Sequence, residues 1–73
     1  MHKLTAYIER DQETGYFIGI VPGIPGAHTQ AETMDELRAN LKEVLELCLE
    51  EMNAKEIEQI PDFVGVQQIE VRG

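Results

Sequence analysis

Apolar side chains recur at Met34, Leu37, Leu41, Val44, Leu45, Cys48 and Met52, while Asp35, Glu36, Glu43, Glu46 and Glu50 fall on the opposite side of the same helical projection. That period predicts one amphipathic helix over residues 33–53. Its start is marked by a capping box. The Thr33 hydroxyl is placed to accept from the N–H of Glu36, and the Glu36 side chain to reach back to the N–H of Thr33. Cys48 lies on the apolar stripe and reads as a small core filler. Leu47 lies off it, towards the acidic side. A helix with one apolar stripe shields one face of whatever it packs on, and that face must come from strands.

The strands precede it. Residues 3–10 alternate, with Leu4, Ala6 and Ile8 on one side and Lys3, Thr5, Tyr7 and Glu9 on the other, as in a half-buried strand. Asp11-Gln12-Glu13-Thr14-Gly15 suits a hairpin loop that closes at a positive φ. Residues 16–21 return as a strand with apolar side chains on both faces: Tyr16, Ile18 and Ile20 on one, Phe17 and Val21 on the other. Residues 27–32 make a short third strand. After the helix, residues 54–62 read as a turn back across the sheet, and 63–71 as a last strand with a shift in alternation at Gly65. The expectation is a single α+β domain over residues 1–73, ordered β-β-β-α-β: an antiparallel sheet of three to four strands with one long helix on one face.

A doubly apolar strand under a single helix leaves a patch on the far side, and such a patch usually marks an interface. A homodimer or tetramer is therefore expected, with Tyr7, Tyr16, Phe17 and Val21 as its contacts. The competing reading has residues 54–62 cover that face. The small size of the chain, 73 residues, also favours self-association, since a lone cysteine makes no internal disulfide and two histidines without ligand spacing make a poor zinc site.

Six basic residues against fourteen acidic give a net charge of −8, which argues against direct nucleic-acid binding and suits a basic partner. The start, Met-His-Lys-Leu-Thr-Ala-Tyr-Ile, lacks the apolar run of an export leader or a membrane span, so a cytoplasmic location is expected. With no serine in the chain, a Ser-His-Asp arrangement is excluded. His28 is the only sensible general base, and it lacks a convincing orienting partner; hydrogen bonding to loop backbone is its favoured role. His2, near the terminus, carries less weight. Glu9 and Asp11 raise the question of a Mg²⁺ site, but the other acids lie mostly on the outer helix face. No catalytic, cofactor-binding or metal-binding residue is assigned.

The segment Val21-Pro22-Gly23-Ile24-Pro25-Gly26-Ala27-His28 joins strand to strand through two Pro and two Gly. It is too restrained for a plain connector, and it marks Pro22, Gly23, Pro25, Gly26, His28, Thr29 and Gln30 as candidate partner contacts. Its glycines make no phosphate cradle, because the Lys-Ser/Thr ending of a P-loop is missing and Pro removes N–H donors.

The run from Gly15-Tyr16-Phe17-Ile18 through Val21-Pro22-Gly23-Ile24-Pro25-Gly26 to Thr33-Met34-Asp35-Glu36-Leu37 resembles the HicB-like antitoxin family, over residues 3–52. The resemblance implies a partial ribonuclease-H-like fold without its catalytic carboxylates. It also implies a role in neutralising a small basic RNA-cleaving toxin by covering its active surface. Many family members carry a C-terminal DNA-binding domain; here the chain stops at Gly73 after the last predicted strand, so operator binding by this polypeptide is not expected. Gly23, Ala27 and Ala31 stand where relatives often have Asp, Cys and Gly. Two other readings stay open. One is a stand-alone oligomeric module that binds another protein or a small ligand. The other, least favoured, is a degenerate nuclease using His28 or Glu9.

Overall fold

The computed structural model describes residues 3–73; His2 lies outside the described residues. Tyr7–Arg10 (β1), Phe17–Ile20 (β2) and His28–Ala31 (β3) form an antiparallel sheet in the order β1-β2-β3. Met34–Glu51 (α1) packs on β3 and β2, and Ala54–Glu58 (α2) follows it. The expected α+β layout of three antiparallel strands and one long helix on one face is therefore present.

The register separates two faces. Ile8 lies opposite Gly19 and Arg10 opposite Phe17; Gly19 in turn faces Thr29, and Phe17 faces Ala31. Cross-strand partners share a side, so these residues point towards α1. Tyr7 with Ile20 and Glu9 with Ile18, continued by His28 and Gln30, make the open face. The first hairpin is held by Asp11, whose side chain accepts from the Glu13 N–H at 3.3 Å and the Thr14 hydroxyl at 2.9 Å. Gly15 closes it at φ 76°, a conformation that glycine adopts freely.

Helix α1 begins at its Thr33 cap, where the hydroxyl accepts from the Glu36 N–H at 3.1 Å. Among the described hydrogen bonds the reciprocal arm of the box, from the Thr33 N–H to the Glu36 side chain, does not occur. Leu37 and Leu41 drive the stripe into the sheet and make one core cluster with Ala31, flanked by Ala6 and Phe17. The close approach depends on Gly19: a Cβ there would stand 2.8 Å from Leu41 Cδ1. Leu47 is exposed, as its place off the stripe requires.

Three expectations are corrected. Residues 63–71 do not join the sheet; the segment carries no regular structure and is exposed throughout. Phe63 and Val66 lie beside β1, but the segment makes no ladder with it, and strand propensity without hydrogen-bonded pairing does not make a strand. Secondly, residues 54–62 are no simple turn. Asn53 caps α2 with a complete capping box: its side chain accepts from the Glu56 N–H at 2.8 Å, and its N–H donates to Glu56 Oε1 at 3.1 Å. Beyond α2, Ile60 joins the core cluster around Val21 and Phe63 meets Tyr7 edge-on, so this segment wraps one corner of the sheet and leaves most of the open face bare. Thirdly, Val21 is 3% exposed within the protomer and is not available as an oligomer contact.

Candidate functional site

The Pro-Gly segment forms a shelf at the end of β2. Every third residue, Val21, Ile24 and Ala27, turns inward and is buried, packed against Leu4, Ala6, Leu45, Cys48, Met52 and Ile60. Between them Pro22, Gly23, Pro25 and Gly26 face outward and are exposed. The inward residues fasten the outward ones. The Val21 N–H donates to the Ala27 carbonyl at 2.9 Å, closing the segment at its base, and the Ala27 N–H donates to Ile24 at 3.1 Å. In this inner turn Pro25 fixes one φ, and Gly26, at φ 80°, supplies the left-handed residue that a type II turn demands. The His28 N–H then donates to the Gly26 carbonyl at 3.0 Å.

Two outside contacts brace the shelf. The Cys48 thiol donates to the Pro25 carbonyl at 3.7 Å, so the cysteine packs under the shelf and helps to hold it. Gly23, at φ 85°, lies directly against Pro61, with no space for a Cβ between them. The shelf is thus pinned from the helix side by Cys48 and from the α2 side by Pro61.

The expected partner contacts divide between two faces. His28 and Gln30 lie with Ile20 and Ile18 on the open face, beside the shelf. Thr29 is half-buried and points to the α1 side, opposite Gly19, away from them. None of the described hydrogen bonds uses the His28 ring; its backbone N–H makes the loop bond, so the expected loop role falls to the main chain.

The expected oligomer contacts also separate. Tyr7 and Tyr16 belong to the open side, and Tyr16 donates its hydroxyl to Glu32 Oε1 at 3.0 Å, joining the start of β2 to the end of β3. That bond, then the negative charges of Glu32 and Glu36, raises the Tyr16 phenol above its ordinary value of 10.0. Phe17 lies on the α1 side, half-buried, with the Arg10 guanidinium 4.8 Å from its ring centre.

The acids are placed without convergence. Asp11 is occupied with its own hairpin, and no group of three or more His, Cys, Asp or Glu among the described residues is placed to hold a metal ion. Glu58 and Asp62 line a cleft with Pro22, Ile57 and Pro61, next to the shelf. Among the described residues no helix is long and apolar enough to cross a membrane. Sequence reasoning missed Pro61 and Ile24 as supports. Ile24 carried a legible signal, since an apolar residue between two Pro-Gly pairs that recurs three places from Val21 and Ala27 belongs inside.

A small acidic sheet-and-helix module that presents a braced Pro-Gly shelf is the frame these features define. Residues 4–71 match the family described as "HicB_like antitoxin of bacterial toxin-antitoxin system", and the chain belongs to that family. It is similar to a UPF0150 protein of Thermotoga maritima, 48% identical over 67 residues that cover 92% of this chain and 87% of the relative. A UPF0150 protein of Synechocystis sp. is 47% identical over 64 residues, covering 88% of this chain and 87% of the relative. One from Archaeoglobus fulgidus is 43% identical over 70 residues, 96% of each. No solved structure gives a significant match.

Proposed function

We propose that this chain is a non-catalytic, antitoxin-like binding module that silences a small basic RNA-cleaving protein by covering its active surface. The observation that carries the proposal is the braced shelf on a chain of net charge −8 that belongs to an antitoxin family. A surface held in one conformation before binding loses little conformational freedom on association. The surplus negative charge accelerates encounter with a basic protein and disfavours acidic ones.

The contact surface we propose is Pro22, Gly23, Pro25 and Gly26 with His28 and Gln30, flanked by Glu58 and Asp62 across the cleft. Thr29, on the α1 side of the sheet, is left out of this surface. A non-catalytic role is supported by the packing of Cys48, the use of Asp11 in its turn, and the absence of serine from the chain.

The test is co-expression with a small basic protein encoded beside this chain. The expected result is a co-purifying complex in which RNA cleavage by the basic protein is suppressed at equimolar ratio, and in which Pro25→Ala combined with Gly26→Ala weakens the complex. Undiminished cleavage with no complex would overturn the proposal and leave the stand-alone module as the better reading.

A further inference from the structure

A cleft of about 380 Å³ opens beside the shelf, on its α2 side. Its closed part is apolar, formed by Val21, 3% exposed, and by the half-buried Ile57 and Ile60. Two carboxylates, Glu58 and Asp62, stand on its exposed part. They bracket a stretch of chain that is held twice, since Ile60 packs into the core cluster around Val21 and Pro61 lies against Gly23. None of the described hydrogen bonds uses either carboxylate. Lys3 also lines the cleft, so one ammonium stands against two carboxylates, a local balance of −1.

The fold itself does not account for the two acids. Glu58 is the last residue of α2, where the carbonyl end of a helix favours a cation. Lys55 lies one turn earlier, which is the weaker of the two orders for a helical ion pair. Asp62 follows Pro61 in a stretch without regular structure and takes no part in a helix cap. Beside them Tyr7 and Phe63 meet edge-on, with ring centroids 6.4 Å apart at 75°, and both rings are exposed. In such a pair one ring gives its edge and keeps its own faces free. An apolar recess, a free ring face and two carboxylates at one opening fit a particular chemistry. A guanidinium is planar and can stack on a ring while donating sideways to carboxylates, whereas an ammonium is a compact, strongly hydrated charge.

We infer that the cleft is the seat of an arginine side chain of a basic partner protein. The guanidinium bonds to Glu58 and Asp62 and lies over the Tyr7–Phe63 pair, while the methylene stem covers Ile57 and Ile60. Pro22 belongs both to the shelf and to the cleft, so one partner surface reaches the two together. The assignment rests on the binding role proposed above and names the group recognised there. It also supplies a means of selection. An acidic surface attracts any cation, but a ring face beside paired carboxylates prefers arginine to lysine. Arginines anchored in this way carry much of the energy of protein interfaces.

Two measurements test it. In the first, the isotope-labelled full chain is titrated with Nα-acetyl-arginine amide and, separately, with Nα-acetyl-lysine amide, while amide shifts are followed by NMR. Saturable shifts through residues 57–63 are expected with the arginine compound and far smaller ones with the lysine compound. The doubly substituted Glu58→Gln, Asp62→Asn chain is expected to show none, with its helical circular dichroism kept, because both side chains are exposed. Phe63→Leu is expected to bring the arginine response down to the lysine level. No saturable shift, an equal response to the two compounds, or an undiminished response in the double variant overturns the inference. In the second, the double variant replaces the wild type in the complex with the basic protein encoded beside this chain, and the dissociation constant is expected to rise roughly tenfold or more. A complex indifferent to the double variant overturns the arginine seat and leaves the antitoxin reading intact. Absence of any complex, with the arginine response retained, removes the antitoxin reading while the seat stands.

Discussion

Gly23 and Gly26 have nearly the same backbone conformation, φ 85° and 80°, yet different surroundings. A Cβ on Gly26 meets open space, whereas one on Gly23 runs into the Pro61 ring. Gly26→Ala is therefore expected to lose about 1–2 kcal/mol, the ordinary cost of a left-handed alanine. Gly23→Ala is expected to lose more, because Pro61 must also move. Urea denaturation of the two variants measures the difference, and equal losses would show that the Pro61 contact is slack. Tyr16 offers a second test. Its phenol is raised in the folded state, so the stability this adds is fully present below pH 10.0 and fades as pH rises through the folded value. Wild type should exceed Tyr16→Phe in urea midpoint at pH 7 and converge on it in stronger alkali. A gap that does not change with pH would detach Glu32 from the phenol. Leu37, with 0% exposure, is the deepest side chain. Leu37→Ala is expected to cost about 2–5 kcal/mol. A chain of 73 residues has roughly 4–11 kcal/mol in all, so loss of cooperative melting is within reach.

The long helix was legible because its period repeats over several turns and its cap is local: Thr33 and Glu36 are near neighbours whatever the rest of the chain does. The first hairpin was legible for the same reason, with Asp11 and Gly15 supplying its hydrogen bonds and its positive φ. The short helix α2 was hidden although its signal, Asn53 followed three residues later by Glu56, is of the same kind as the one at Thr33. Five residues hold too little period to outweigh a polar composition. Asn53→Ala is expected to cost about 1 kcal/mol and to loosen Ile57 and Ile60, seen as faster amide exchange through residues 54–60. Exchange rates unchanged there would mean that tertiary packing alone holds α2. The final strand failed for a different reason. Alternating apolar residues predict a willingness to pair, and only the three-dimensional neighbour decides whether pairing occurs. Which face each β2 residue takes was readable from parity. That Val21 and Ile24 are closed off followed from the turns beyond, which parity does not see.

At the scale of the whole molecule, charge and shape act together. With −8 net charge, association with a basic protein should slow by roughly tenfold as salt is raised from about 50 mM to about 500 mM. Stopped-flow measurement reads this directly, and a rate indifferent to salt would remove electrostatic steering from the account. The candidate site was legible as a segment, since two Pro-Gly pairs announce restraint, but its bracing was not. Cys48 and Pro61 lie 23 and 38 residues further along the chain than the shelf residues they touch, Pro25 and Gly23. The second of these braces has a thermodynamic result. Because Pro61 lies on Gly23, the shelf and the segment that follows α2 share one contact. Linkage then works in both directions: if a protein seated on the shelf strengthens the Pro61 contact by some factor, that contact raises the affinity of the shelf by the same factor. The contact between one glycine and one proline would be the place where occupancy of the shelf and the seating of residues 59–62 exchange free energy.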